Sequence, residues 1–352
     1  MRRIGGGTGA TGKGCISSWG DHKERRCQFT SIGVGTVERR RSGGLAEHGL
    51  RPTRRVAVIT EQGGLGASTS CLGKGIEESI LRLREFEVIE LGANHCYEEG
   101  AVETVERLRE GYDLALLLHG CFPPLREWFI LNPASQEEET LTETRRLILA
   151  MIDLARRWEV PLVSVHPGFT AYPTRPRGED PGSPDVPYGV ALRTAQESFR
   201  LFLEAAQGDV EVIAENLPYE PATMMRNPEE IAEFVEGLGM GLLLDVGHFH
   251  VSACQMGFDF ARGVKAVAKY ARELHLHDND GGADEHLPLG EGTIDFGLLQ
   301  GVTDAVPVLE AYGGLEDLRR SAERWRRRSG DLAERWNGGG RETLPNGGKE
   351  RT

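Results

Sequence analysis

Eight short apolar runs, separated by stretches of helical periodicity, constrain this chain more than any other feature of its sequence. They are VAVIT from Val56, FEVIEL from Phe86, DLALLLH from Asp113 and PLVSVH from Pro161. VEVIAE from Val210, GLLLDV from Gly241, RELHLH from Arg272 and VPVLEA from Val306 complete the set. Continuous apolar blocks of this length are expected of strands buried on both faces of a parallel sheet. Ahead of the fourth run, EEETLTETRRLILAMIDLARRW places Leu147, Ile148, Met151, Ile152 and Leu154 at helical spacing among charges. PEEIAEFVEGL and FARGVKAVAKYAR do the same before the sixth and seventh runs. Strands alternating with helices predict a parallel α/β fold, and the count of eight predicts a closed (β/α)8 TIM barrel. A single domain over residues 55–336 is close to the ~250 residues such barrels need. A last helix from about Leu315 to Trp336 would close the ring.

The flanks read differently. Residues 1–54 are rich in Gly, Arg and Ser without sustained periodicity, and residues 337–352 are similar, so both are predicted to be disordered tails. Gly7, Gly9 and Gly12 spell GxGxxG, and with Lys13 nearly a P-loop. No strand precedes them, and Gly14 stands where a P-loop needs Ser or Thr, so a flexible glycine tract is the better reading. No apolar run approaches the ~20 residues of a membrane span. The start has positive charge but no apolar segment behind it, unlike a secretory signal. The six cysteines (Cys15, Cys27, Cys71, Cys96, Cys121 and Cys254) show no CxxC pair, which fits a reducing cytoplasm rather than a disulfide framework. Charge is uneven: residues 1–54 hold 11 basic and 4 acidic side chains, the remainder 30 basic and 50 acidic, a net of -20. An acidic body lacks the long-range field that steers nucleic acid, so DNA is not the expected partner.

Ten histidines are present, and only His22 and His48 lie in the first tail. The other eight (His95, His119, His166, His248, His250, His275, His277 and His286) fall at or just after a predicted strand end, and none within a predicted helix. The strand C-termini of a barrel form one rim, so these side chains are expected to converge. Carboxylates join them there: Glu215, Asp245, Asp278, Asp284 and Glu310. One His at a strand end is more often a hydrogen-bonded structural residue, and Asp284 alone would serve as a turn cap. The set as a whole points to a metal held by imidazole and carboxylate, such as zinc, manganese or iron.

The motifs HGCF at His119, HPG at His166, AEN around Glu215, DVGH from Asp245 and HLHD from His275 follow one another in an order that resembles the xylose-isomerase-like barrels. DEHLPLGEGTIDF from Asp284 and VLEAY around Glu310 extend the resemblance over strands three to eight. That superfamily joins sugar and sugar-phosphate isomerases and epimerases with the AP endonuclease family. The resemblance implies that Glu215, Asp245, His275 and Glu310 ligate one divalent metal (Mn, Mg, Co or Zn), with His248 beside the substrate. The endonuclease-type pattern of three metals adds His119, His166, His248, Asp284 and His286 as ligands, and all nine positions hold a compatible residue.

On these grounds the leading expectation is a metal-dependent isomerase or epimerase acting on a small sugar or sugar phosphate. The metal would act as a Lewis acid, with Glu215 and Glu310 moving a proton through an enediolate. A multinuclear zinc phosphodiesterase of the AP endonuclease IV type is the alternative. Against it stand the acidic body and the neutral-to-acidic segments EQGGLGASTS and GANHCYEE, read as the first two rim loops. Phe122 would be its stacking wedge, although Phe in such a loop is more often simply packed. A third reading, an idle barrel that only binds, sits poorly with an intact ligand set. The loop Gly168–Tyr188 carries Arg175 and Arg177 among five prolines. Two readings stay open for it: a lid whose arginines bind a substrate phosphate, or a rigid solvated loop.

Overall fold

The computed structural model describes residues 64–92, 97–127, 129–171, 186–299 and 302–338. Eight parallel strands close a barrel in chain order, with the first beside the eighth. They are β1 (Gly66–Ser68), β2 (Val88–Leu91), β3 (Leu116–His119), β4 (Leu162–Val165), β5 (Glu211–Glu215), β6 (Leu242–Asp245), β7 (Ala271–Leu276) and β8 (Val306–Leu309). Around them lie α1 (Ile76–Leu83), α2 (Ala101–Gly111), α3 (Glu138–Trp158), α4 (Tyr188–Ala206), α5 (Pro228–Glu236), α6 (Val246–Met256), α7 (Phe260–Val267) and α8 (Leu315–Gly338). The (β/α)8 barrel read from the sequence is the fold, and strands two to eight arise from the seven apolar runs assigned to them.

The first strand is the exception. It is Gly66–Ser68, within the segment EQGGLGASTS that the sequence assigns to a rim loop, while VAVIT (56–60) lies outside the described residues. The cause is packing. A Cβ on Gly66 would stand 3.1 Å from Val308 Cγ2 and 3.2 Å from Val88 Cβ, so the seam between β2 and β8 accepts only a small residue. A run of small residues carries no hydrophobic periodicity to detect.

Two apolar layers hold the barrel. Val88, Leu117, Leu162, Ile213, Leu243, Val306 and Val308 fill the lumen, each at most 1% exposed. Burial of such side chains is worth roughly 1.5–3 kcal/mol apiece. The second layer lies between strands and helices. There α3 buries Thr144, Ile148, Met151, Ile152, Ala155 and Trp158 at spacings of three and four, which aligns them on one face. α5 begins with a local signal: Asn227 accepts a hydrogen bond from the Glu230 N–H, and Pro228 occupies the first turn. Among the described residues, no helix is long and apolar enough to cross a membrane.

The same capping chemistry places part of the site. Asp245 ends β6 and caps α6, accepting the His248 N–H at 2.7 Å. His248 and His250 therefore lie on a helix, contrary to the expectation that no rim histidine does. DVGH encodes strand end, cap and first helical turn in four residues. An apolar run entering a short helix directly leaves no loop signature to mark the change.

Candidate metal centre

Strand register sets the first neighbours. Asp245 of β6 is paired with His275 of β7, and His119 of β3 with Ser164 of β4. The Glu310 N–H bonds Leu276 O, which places Glu310 just above His275. Glu215 (1% exposed), Asp245 and His275 (both 0%) and Glu310 (4%) form a buried floor. Around it stand His119, His166, His248, Asp284 and His286. The structure thus brings together all nine residues named from the resemblance.

Their atoms are grouped in threes and fours. Glu215 Oε2 lies 2.8 Å from His166 Nε2 and 3.4 Å from His119 Nε2. Its other oxygen, Oε1, lies 3.4 Å from His275 Nδ1. That Nδ1 is also 3.0 Å from Glu310 Oε2 and 3.6 Å from Asp245 Oδ2. On the far side, Asp284 Oδ2 is 3.3 Å from His248 Nε2 and 3.1 Å from His286 Nε2. Glu215 Oε2 and His275 Nδ1 have no hydrogen-bond partner despite these short approaches. Buried polar atoms are rarely left so. Atoms that crowd without bonding one another are aimed at a common point between them, as ligand atoms are. The donor set, nitrogen and carboxylate oxygen, suits divalent cations, and the site's compactness fits them as well: within each of five groups the candidate atoms lie within 4.8 Å.

The imidazoles are held from behind. His248 Nδ1 lies 3.0 Å from Asn216 O, and His286 Nδ1 lies 2.8 Å from Glu310 O. A carbonyl only accepts, so each Nδ1 carries a hydrogen, and in the neutral ring each Nε2 is left to present a lone pair. His119 Nδ1 meets Ser164 Oγ at 3.0 Å, and His275 Nε2 meets Glu90 Oε2 at 2.9 Å. In all four rings one nitrogen is fixed to the scaffold and the other faces the centre, as the outer partners of metal-binding histidines arrange them.

Without a metal the charges hold each other. Burial raises a carboxyl, but the adjacent His119 and His166 keep Glu215 well below the usual range, and His248 and His277 do the same for Asp245. Burial lowers an imidazole, yet Asp245 and Asp284 hold His248 well above its ordinary value. His286 is pushed up to about 8: burial opposes the shift, and the Asp284 hydrogen bond and Glu310 charge outweigh it. Because this folded value exceeds the unfolded one, the stabilisation is complete below about pH 6.5 and disappears as pH rises through 8. Chelator-treated protein is therefore expected to lose about 2 kcal/mol of unfolding free energy between pH 5.5 and 9, read by urea melts. Stability that stays flat or rises over that range would contradict the pairing. Metal affinity should run the opposite way, since imidazole ligates only when neutral.

Other expected residues sit elsewhere. Asp278 accepts backbone N–H groups of Asn279, Gly290 and Ile294 and so organises the β7–β8 loop; it faces no ligand group. His250 bonds Asn279 Oδ1 at 2.8 Å, outside the centre. Phe122 is 1% exposed and packs on Trp158, so it offers no wedge. His95, Arg175 and Arg177 lie outside the described residues. Sequence reasoning missed Glu90, an acid one residue short of the end of the apolar run FEVIEL, much as Glu215 ends VEVIAE, and that parallel was a usable signal. It also gave His277 no role. His277 Nε2 holds both Asp245 oxygens at 3.0 and 3.1 Å, and its ring stacks on His286, which stacks on Tyr312.

Residues 82–302 match the sequence profile of the family described as xylose isomerase-like TIM barrel. The chain belongs to that family. Among curated proteins it is similar to uncharacterized protein MJ1614 of Methanocaldococcus jannaschii, 28% identical over 241 residues, covering 66% of this chain and 84% of that protein. Among solved structures it is similar to a D-tagatose 3-epimerase-like protein (TM-score 0.62, 22% identity, 77% of this chain and 99% of the other). It is also similar to endonuclease IV from Thermus thermophilus (TM-score 0.52, 20% identity, 77% and 99%). At these identities the two likenesses establish the shared fold, and this xylose isomerase-like barrel must be read from its own rim.

Proposed function

We propose that this protein is a metal-dependent enzyme whose rim holds more than one divalent cation, and that it hydrolyses a phosphate ester. The observation that carries the reading is the division of Glu215: Oε2 faces His119 and His166, whereas Oε1 faces His275. A carboxylate that offers one oxygen to each of two donor groups is built to bridge. His119, His166 and Glu215 would hold one cation. Glu215, Asp245, His275 and Glu310 would hold a second, and His248, Asp284 and His286 a third. Divalent cations so placed would supply Lewis acidity to the phosphoryl group and lower the cost of producing hydroxide at neutral pH. The protein's part is to keep the donors fixed and to hold Glu215 and Asp245 ionised. With a net of -20 outside residues 1–54, a small phosphate ester is the preferred substrate class over duplex DNA.

The sugar isomerase or epimerase reading keeps one specific support: Glu215, Asp245 and Glu310 surround His275 Nδ1 completely by themselves. It asks more of Glu215, however. A base that takes a carbon-bound proton needs access and basicity near the working pH. Glu215 is 1% exposed, flanked by histidines on both oxygens and held strongly ionised. Metal analysis of protein purified without chelator, followed by a substrate panel, separates the two. Two or three Zn, Mn or Fe per chain, with hydrolysis of an activated phosphate diester or monoester, is the expected result. One metal per chain, with solvent deuterium entering a ketose or its phosphate, would replace the proposal by the isomerase.

A further inference from the structure

One imidazole of the centre is not held by its ring. His119, His248, His275 and His286 each have a nitrogen bonded to the framework. Among the described residues, the polar and ring contacts of His166 are with Glu215, at 2.8 Å, and with His119, whose ring centroid is 5.3 Å away. Both partners belong to the centre itself. Whatever fixes His166 from behind must therefore act through its backbone.

That backbone is clasped three residues on. Asn132, in the β3–α3 connection, is 2% exposed. Its Oδ1 accepts the Phe169 N–H at 2.9 Å and the Ala134 N–H at 3.1 Å, and its Nδ2 donates to Phe169 O at 3.3 Å. Two N–H partners at one end and a carbonyl at the other fix the orientation of the amide. The Asn132 N–H donates to Thr144 Oγ1 of α3 at 3.1 Å, so the clasp is anchored on a helix. Gly168 permits the close approach: its φ is +109°, and a Cβ there would stand 2.5 Å from Asn132 Oδ1. Beyond the clasp, Phe169 bridges Thr223, and the Thr170 N–H bonds Ala222 O at 2.8 Å. His166 thus lies on a short span between the end of β4 at Val165 and a fixed Phe169.

We propose that Asn132 is a positioning residue for His166. By gripping both backbone groups of Phe169, it holds the His-Pro-Gly span so that the His166 ring stays on Glu215 and beside His119. This rests on the metal reading above, which takes His166 as a ligand. The consequence is that Asn132 serves the cation at His119, His166 and Glu215 and leaves the other two groups alone.

Two measurements test it. In Asn132→Ala, zinc competition against chelators of graded strength should show one bound equivalent weakened roughly 10- to 100-fold, with the others within a few-fold of wild type. In a His166→Ala background the same change should add no more than a few-fold, because the residue it acts through is gone. Wild-type affinity in Asn132→Ala, or an equal loss in both backgrounds, would overturn the proposal in favour of a purely structural asparagine. Should Asn132→Ala fail to fold, Gly168→Ala, which crowds the same amide, takes its place in both backgrounds. The second measurement needs no metal: in chelator-treated protein with labelled histidine, the nuclear Overhauser contact between the His119 and His166 rings should be present in wild type and lost in the variant. If wild type binds no cation at this group, the metal reading fails, and that contact alone decides: its loss upholds the positioning and its persistence refutes it.

Discussion

Glu215→Gln is expected to cut turnover by roughly 10²–10⁴-fold and to lower the bound metal by at least one equivalent, and excess metal should not restore full activity. Glutamine keeps the size of the side chain and one acceptor oxygen. It puts an N–H where either His166 or His275 now faces a carboxylate oxygen at 2.8 or 3.4 Å. Both donor groups that share Glu215 then lose its charge, and one of them loses its acceptor oxygen as well. Glu310→Gln alters the group around His275 and removes a charge beside His286, so it should spare the cation at His119 and His166. His250→Ala, which lies outside the centre, should lose far less of either quantity. Full metal content in Glu215→Gln, measured by elemental analysis, would show that its carboxylate does not bridge.

Gly247→Ala should destabilise the protein and loosen its candidate metal centre together. Alanine ordinarily stabilises a helix position by about 1 kcal/mol over glycine. Here the added Cβ would fall 2.0 Å from His277 Cε1 and 2.4 Å from Nδ1. His277 is 0% exposed and is wedged between Asp245 and the His286 ring, so it has nowhere to move. Overpacking of this kind costs about 1–3 kcal/mol, and displacing the ring also releases Asp245 from its hydrogen bonds. The prediction is a lowered urea midpoint together with weakened metal retention. Gly111→Ala, where nothing lies within 4 Å of the new Cβ, is the control and should be neutral to slightly stabilising. A Gly247→Ala protein as stable as that control would mean that the stack yields more easily than its geometry says.

What was legible in the sequence follows from what periodicity encodes. Seven strands announced themselves because a strand buried on both faces must be an apolar run. β1 did not, because a glycine at the β2–β8 seam leaves no such run. Most of the candidate ligand histidines and carboxylates were legible because they sit where apolar runs stop. Their division into groups was not, since it depends on which oxygen of Glu215 faces which ring. Asn216 and Ser164 also escaped notice. They act only by holding other side chains, and that requires the register of neighbouring strands.

Asp245 belongs to the folding of this chain as well as to its candidate metal centre. Its carboxylate caps α6 through the His248 N–H while lying beside His275. Loss of such a cap costs about 0.5–2 kcal/mol whether or not a metal ever binds. Selection for a stable barrel would therefore retain this aspartate in a descendant whose catalytic life had ended. His166, by contrast, has a half-open side chain, 38% exposed, directed at Glu215. It would be among the first to drift. Positions that the scaffold does not need are therefore the ones whose retention would speak for chemistry rather than folding.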